Sequence, residues 1–366
     1  MSADTSAQPA QRVRPPLTVG EFAPWFVAPC SDRPNYTFNS VAGRYVVLSF
    51  YGSAADEAGK KFVDLMHAAD IFDDKQACFF GVSLDPRDEG EGRVSQRIPG
   101  LRYFRDFDGG ISKLYGVLAN GRLQRVTFVL DMALRVHTVL PFDSSAQAHA
   151  EAVLSTLRGA LAAETNNSSF APVLVLPDVF SKDLCQRLIA HYEAGGAEDS
   201  GFMREVNGKT VGIIDHRHKS RSDKQIEDEA LKNECQARIR KCVVPAIARA
   251  YNFAATRIER HIVACYDSAA SGHFAAHRDN TTKGTAHRRF AVSVILNTGE
   301  FEGGHLRFPE YGPRTYSPPA GGAVVFSCSL LHEATYITAG KRYAYLPFLY
   351  DDEAAEIRQK NQVYLA

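Results

Sequence analysis

The sequence predicts two units of different class, an α/β layer followed by a strand-rich α+β unit, and three observations carry this reading. Residues from roughly 15 to 160 alternate short apolar runs of strand length with longer helical stretches. From Arg257 onward, short strand-like runs follow one another between Gly/Pro turns. Between the two patterns lies a polar, turn-forming stretch, Glu164 to Phe170, and a chain of 366 residues exceeds the usual single-domain size. The boundaries that follow are a disordered leader over 1–14, a first unit over 15–163, a linker over 164–171 and a second unit over 172–366. Met1 to Gln11 is polar and Ala/Ser-rich, with no apolar signal core.

In the first unit, Tyr45 to Tyr51 reads as a buried strand, Ala54 to Ala69 as a helix, and Ala77 to Leu84 as the next strand. Ile111 to Tyr115 is a short helix, Arg125 to Asp131 with Val136 to Leu140 a hairpin, and Ser144 to Ala163 a closing helix. Alternating elements with a mixed sheet indicate an α/β layer. The lone Trp25 is assigned to its core.

In the second unit, Ser181 followed by Leu184, Leu188 and Ile189 reads as a capped amphipathic helix to Tyr192, and Ala230 to Tyr251 contains a longer one. Between them, residues 199–223 are polar, basic and irregular, read either as a solvated loop or as a lid that orders over a substrate. His216 and His218 there have no distant third donor and are not assigned a metal. The strands Ile262–Tyr266, Phe290–Asn297, Gly304–Phe308, Ala323–Ser327 and Tyr343–Leu349 form a series that fits a double-stranded β-helix, the jelly-roll type of barrel.

Lys+Arg and Asp+Glu both number 42, so the overall balance asks for neither nucleic acid nor an anionic membrane, and no run approaches the length of a transmembrane span. The seven cysteines are odd in number and scattered, without a CxxC, which favours reduced thiols and a cytoplasmic location. Cys78 lies within an apolar strand and reads as core. Cys30 follows Pro29 in a turn-like stretch that would leave it exposed.

The chemistry-bearing stretch runs from His277 to Arg342. In His277-Arg278-Asp279, alternation on a strand would aim the first and third side chains at one point. A distant His332 would complete a two-histidine, one-carboxylate triad, a donor set suited to non-haem Fe(II) with three positions open. Arg342, on the apolar run that follows, carries a fork able to grip a co-substrate carboxylate.

From Leu176 to Asp352 the chain resembles the prolyl 4-hydroxylase branch of the 2-oxoglutarate, Fe(II)-dependent dioxygenases. The resemblance is carried by Leu176 to Cys185, by Gly272-His273-Phe274-Ala275-Ala276-His277-Arg278-Asp279, by the glycine turn Phe301 to Phe308, by Ala320 to Phe326, by Leu331-His332-Glu333-Ala334 and by Gly340-Lys341-Arg342-Tyr343. It implies Fe(II) on His277, Asp279 and His332, with 2-oxoglutarate paired to Arg342 and hydrogen-bonded by Tyr266. It further implies that O2 is used to hydroxylate an unactivated C–H bond while 2-oxoglutarate is decarboxylated to succinate, with ascorbate as a reductant. Arg221 and Ser222 resemble the family's arginine-serine pair at the active-site mouth. His273 is a pocket-lining candidate, and Arg288 or Arg289 either receives an acidic substrate or caps the barrel. A carboxylate at Asp279 fills the position a halogenating relative leaves to chloride, so hydroxylation is the expected outcome.

The first unit resembles a peroxiredoxin, of thioredoxin-like fold, over most of residues 17 to 140. The matching stretches are Val19 to Phe26, the strand ending Phe50-Tyr51, Tyr115-Gly116-Val117 and Arg125 to Asp131. The loop where that family carries its reactive cysteine reads Gly52-Ser53-Ala54-Ala55-Asp56-Glu57-Ala58-Gly59, without a cysteine, so Arg125 has no thiolate to stabilise. A non-catalytic unit used for packing, homodimerisation or substrate capture follows. Three functions stay open: hydroxylation of proline in a peptide or as the free amino acid, hydroxylation of another small molecule, and a non-catalytic oxygen- or redox-sensing scaffold.

Overall fold

The computed structural model describes residues 14–31, 33–164 and 169–365, so residues 1–13 of the expected leader and 165–168 of the expected linker lie outside the described residues. The chain divides into two compact units, residues 1–168 and 169–366. No helix among the described residues is long and apolar enough to cross a membrane.

The first unit is a seven-stranded mixed sheet. Its strands are β1 (Val27–Cys30), β2 (Arg33–Thr37), β3 (Tyr45–Gly52), β4 (Ala77–Ser83), β5 (Leu101–Arg105), β6 (Val126–Leu130) and β7 (Val136–Pro141). They lie in the order β2-β1-β5-β4-β3-β6-β7, with β3, β4 and β5 parallel. Every residue of β3 and β4 is buried, as unbroken apolar runs in central parallel strands require. One face receives α1 (Glu57–Ala68) and α3 (Ala146–Glu164), packing Phe62, Met66, Val153 and Leu157 on Val47 and Phe79. On the other face, Phe38, Phe80 and Phe104 form an aromatic cluster, next to the short α2 (Gly110–Leu114). This is the thioredoxin-like α/β arrangement.

Two assignments in this unit are corrected. Trp25 is 53 % exposed, because its neighbour Phe26 takes the inward place, stacked on Phe38 at 4.7 Å, and adjacent residues of an extended chain face opposite ways. Cys30 is 1 % exposed, because β1 alternates exposed and buried positions and Cys30 occupies a buried one.

The second unit contains, in chain order, β8 (Leu174–Leu176), α4 (Lys182–Glu193), β9 (Glu198–Asp199), β10 (Phe202–Val206), β11 (Lys209–Ile213), β12 (Lys219–Ser220) and β13 (Ser222–Gln225). There follow α5 (Glu229–Arg238), α6 (Val244–Tyr251), β14 (Ile262–Asp267), β15 (His273–His277), β16 (Phe290–Ile295), β17 (Leu306–Arg307) and β18 (Thr315–Tyr316). The chain ends with β19 (Ala323–Ser327), β20 (His332–Ala334), β21 (Ile337–Tyr345) and α7 (Asp352–Asn361). A major sheet in the order β8-β19-β16-β21-β14-β13-β9 accompanies a minor sheet in the order β12-β15-β20-β17-β18, and the pairs are antiparallel, as in a jelly roll.

The helices pack on the major sheet through Leu184, Leu188, Leu231, Ile239 and Ile247 against Val263, Val292 and Tyr345. Ser181 caps α4 through the Leu184 N–H. α5 and α6 are joined by a π-helical turn over Ile239–Val243, so the long helical pattern forms with one bulge. The stretch 199–223 is not irregular. It holds β9, the hairpin β10/β11 with five paired positions, β12 and the start of β13. The hairpin turn is Asn207-Gly208, both at positive φ (50° and 75°), the Asn-Gly signal that fits a two-residue turn.

Candidate metal centre

The first imidazole ends β15 and the second begins β20, and these strands are neighbours in the minor sheet with His277 directly opposite His332. Cross-strand pairing therefore sets the two rings 4.3 Å apart. Asp279 lies beyond the end of β15, and a bulge separates Phe274 from His277, so simple strand alternation is not what aligns the pair. Its backbone N–H is anchored on the Cys328 carbonyl at 3.0 Å, which turns the carboxylate toward both rings. Asp279 Oδ1 is 3.5 Å from His277 Nε2, and Oδ2 is 3.4 Å from His332 Nε2. One donor atom from each of the three lies within 4.8 Å of the others.

The protonation pattern suits ligation. His277 Nδ1 donates to the Ala275 carbonyl at 2.9 Å and His332 Nδ1 to the Leu330 carbonyl at 3.0 Å, which leaves both Nε2 lone pairs facing inward. Burial, and then the nearby His277, push the His332 pKa down to about 4, so it stays a neutral imidazole. Two imidazole nitrogens and one carboxylate oxygen are a donor set that fits Fe(II).

Arg342 lies on β21 opposite Tyr266 of β14. It is 2 % exposed; Nη2 donates to Ser293 Oγ at 3.2 Å, the guanidinium covers the Tyr266 ring at 4.9 Å, and Nη1 is buried without a partner among the described residues. Gly304, at φ 63°, makes room for it: a Cβ there would stand 2.0 Å from Ile337 Cδ1 and 3.2 Å from Arg342 Cδ. Arg221 joins this group by donating to Tyr266 Oη at 3.3 Å, and its own Nε is buried without a partner.

The other assigned residues are not part of this cluster. Ser222, next to Arg221, faces the opposite side of the strand and meets Tyr192 Oη at 2.6 Å. His273 Nδ1 meets the Ser271 carbonyl at 2.8 Å and the ring stacks on Tyr336 at 4.1 Å, a framework role. Arg289 donates to the Ala286 carbonyl at 3.0 Å, while Arg288 pairs with Glu259 at 2.8 Å, next to His287. His216 meets Asp199 at 3.2 Å and His218 packs on Phe202. The sequence reading missed Lys219, buried at 4 % exposure, although it lies two positions before Arg221, the spacing that returns to one face of a strand. It also missed the tie between Arg278 and Glu310, which has no local signature.

In the first unit, the Arg125 guanidinium pairs closely with Asp56, whose carboxylate caps α1 by accepting the Gly59 N–H at 2.7 Å. The arginine matched to a thiolate partner thus holds a carboxylate at the helix N-terminus.

Comparisons with known proteins agree with this division. Residues 261–350 match the 2OG-Fe(II) oxygenase superfamily and residues 19–139 match the AhpC/TSA family. No curated protein matches the chain. Among solved structures, a Pseudomonas putida prolyl-4-hydroxylase is similar at 17 % identity and TM-score 0.39, over 49 % of this chain and 92 % of that one. A Trichoplax adhaerens prolyl hydroxylase, solved with a hypoxia inducible factor peptide fragment, is similar at 16 % identity and TM-score 0.39, over 59 % and 97 %. The Mycobacterium tuberculosis peroxidoxin BcpB is similar at 27 % identity and TM-score 0.33, over 38 % and 96 %. The C-terminal unit therefore carries a 2OG-Fe(II) oxygenase domain, that of a dioxygenase enzyme, and the N-terminal unit a peroxiredoxin-like domain of thioredoxin fold that matches the AhpC/TSA model.

Proposed function

We propose that the C-terminal unit hydroxylates an unactivated C–H bond, of the prolyl type, with His277, Asp279 and His332 holding Fe(II) and Arg342 and Tyr266 receiving the distal carboxylate of 2-oxoglutarate. The observation that carries this reading is the Arg342 guanidinium, buried with Nη1 unsatisfied against Tyr266, which shares a core cluster with the Phe274 ring stacked on His277, because such a cation asks for an anion. Bound Fe(II) supplies the centre at which O2 is spent, converting 2-oxoglutarate to succinate and CO2 and placing a hydroxyl group on the substrate. The chain's own residues do the rest. The Ala275 and Leu330 carbonyls fix the ring orientations, Phe274 stacks on His277 at 3.5 Å and keeps water from that side, and Ser293 steers the Arg342 fork. Ascorbate serves as the reductant in this reading, and the reduced, buried cysteines suit the cytoplasm.

The test is anaerobic addition of Fe(II) and 2-oxoglutarate to the purified chain, following the visible charge-transfer band of the chelate. The band is expected in the wild type, absent in His277→Ala, and shifted to much higher 2-oxoglutarate in Arg342→Ala. A folded wild type that gives no band would refute the proposal and favour a scaffold.

A further inference from the structure

Beside the triad, Asp223 lies at the centre of a cationic wall. Arg221 Nη2 donates to its Oδ2 at 2.6 Å, Arg260 Nη2 at 3.1 Å and Ser200 Oγ at 2.6 Å. Lys219 Nζ donates to the same Ser200 Oγ at 2.7 Å. One carboxylate therefore answers two guanidinium groups. Arg221 Nε is buried without a partner among the described residues. Burial, followed by the neighbouring Arg221, pushes the Arg260 pKa down to about 10 and that of Lys219 down to about 6. Glu259 cannot relieve the wall, because His287 and Arg288 already occupy it at 2.9 and 2.8 Å.

The wall adjoins the chemistry. Lys219 lies over the Phe274 ring at 4.9 Å and Phe274 stacks on His277, while Arg221 lies 5.7 Å over Tyr266. The Asp279 charge acts on both Lys219 and Arg260. Arg260 is 24 % exposed at its side chain, 5.4 Å over Phe348, and adopts φ 67°, a left-handed backbone that a non-glycine residue holds only where the surrounding fold compels it. Arg342 is already given to 2-oxoglutarate, so these cations remain for another anion.

We infer that the primary substrate is a small molecule with a free carboxylate, which docks on Arg221 and Arg260 beside the metal centre, a reading that rests on the dioxygenase function proposed above. An interior residue of a peptide brings neutral amides to this wall and cannot compensate buried guanidinium groups, whereas a carboxylate meets their fork with charge-assisted hydrogen bonds. A free amino acid has the required size and charge.

The experiment measures succinate release by the full chain with Fe(II) and 2-oxoglutarate, using as probes each free amino acid, its amide, and a proline peptide blocked at both ends. At least one free acid is expected to raise release, with its amide at least about ten-fold less effective, the value of a charge-assisted hydrogen bond. Arg260→Gln is expected to erase that preference and Arg260→Lys to keep part of it, while the half-saturating 2-oxoglutarate moves by less than about three-fold, since Arg342 holds the co-substrate. Stimulation by the blocked peptide alone, an amide equal to its acid, or no response to any free acid in protein that shows the 2-oxoglutarate band would each overturn the inference. Absence of the band itself removes the dioxygenase reading, and this inference with it.

Discussion

Arg278 and Glu310 form a buried ion pair at 2.8 Å that ties together the two chain segments carrying the metal donors. Arg278 lies between His277 and Asp279. The other Glu310 oxygen accepts from Arg278 at 3.1 Å and from the N–H of Leu331, the residue before His332, at 2.9 Å. Partners behind metal ligands typically contribute about ten- to hundred-fold in affinity. Glu310→Gln, which keeps an acceptor for Leu331, is therefore expected to weaken Mn(II) binding by about ten-fold, and Glu310→Ala by more. Removing the carboxylate takes one ion-pair partner from a buried guanidinium, at a cost on the order of 3 kcal/mol. Mn(II) titration followed by electron spin resonance, beside thermal melts, separates the two effects. An unchanged affinity in a less stable variant would reduce the pair to a framework role.

Much of this arrangement was legible because its parts are local in sequence. The βαβ rhythm, the Ser181 cap and the ordered strand series announce themselves through periodicity, and His277, Asp279, His332 and Arg342 sit in short motifs whose order survives in one chain. What was not legible depends on facing and on distant partners. Arg221 and Ser222 are neighbours in sequence, yet only Arg221 reaches Tyr266. Hairpin β10/β11 is mostly exposed, so it lacks an apolar pattern, and only Asn207-Gly208 marks it. Arg278 and Glu310 are 32 residues apart and meet only once the barrel closes.

Arg342 is a cost to the ligand-free protein, since its guanidinium is 2 % exposed with one nitrogen unsatisfied. Burial lowers its pKa, as expected of a cation short of partners. Arg342→Met should leave the ligand-free melting temperature unchanged or higher, because an apolar side chain of similar volume removes the unpaired charge. In the wild type with Mn(II), 2-oxoglutarate at a hundred times its Kd should add about 2.7 kcal/mol of stability, and in Arg342→Met almost none. Differential scanning fluorimetry with and without 2-oxoglutarate reads both. A Met variant that melts lower and still responds to 2-oxoglutarate would assign Arg342 to structure.

Glu259 sets an acid limit on the second unit. Burial raises its pKa, but the hydrogen bond from His287 and the charge of Arg288 outweigh this and bring it down to about 2, from 4.5 for the free group. A carboxyl with a depressed folded pKa contributes stability that is present above its unfolded pKa and is lost as pH falls through the folded one. The contribution, on the order of 3 kcal/mol, should thus be complete above about pH 4.5 and disappear toward pH 2. Glu259→Gln should lower the melting temperature at pH 7 and flatten its decline over that interval. Parallel acid limbs in the two proteins would refute the assignment.

The first unit should behave as a chain without a reactive thiol. Six of the seven cysteines are buried, and Cys242 alone is partly exposed. Burial pushes the Cys78 thiol up to about 12 and the Cys185 and Cys265 thiols up to about 11. Titration of the native protein with a disulfide reagent should find at most one fast thiol, and Cys242→Ser should remove it. Hydrogen peroxide should not be consumed with a dithiol reductant. The geometry that would activate a thiol is nevertheless in place, because Asp56 occupies the N-cap of α1 against Arg125. A helix N-terminus and an adjacent guanidinium both favour a thiolate. Asp56→Cys in the Cys242→Ser background is therefore expected to create a fast thiol with a pKa below the free value of about 8.5, and Arg125→Gln to raise it again. If Asp56→Cys titrates as an ordinary thiol whether or not Arg125 is present, the pair is only a helix cap.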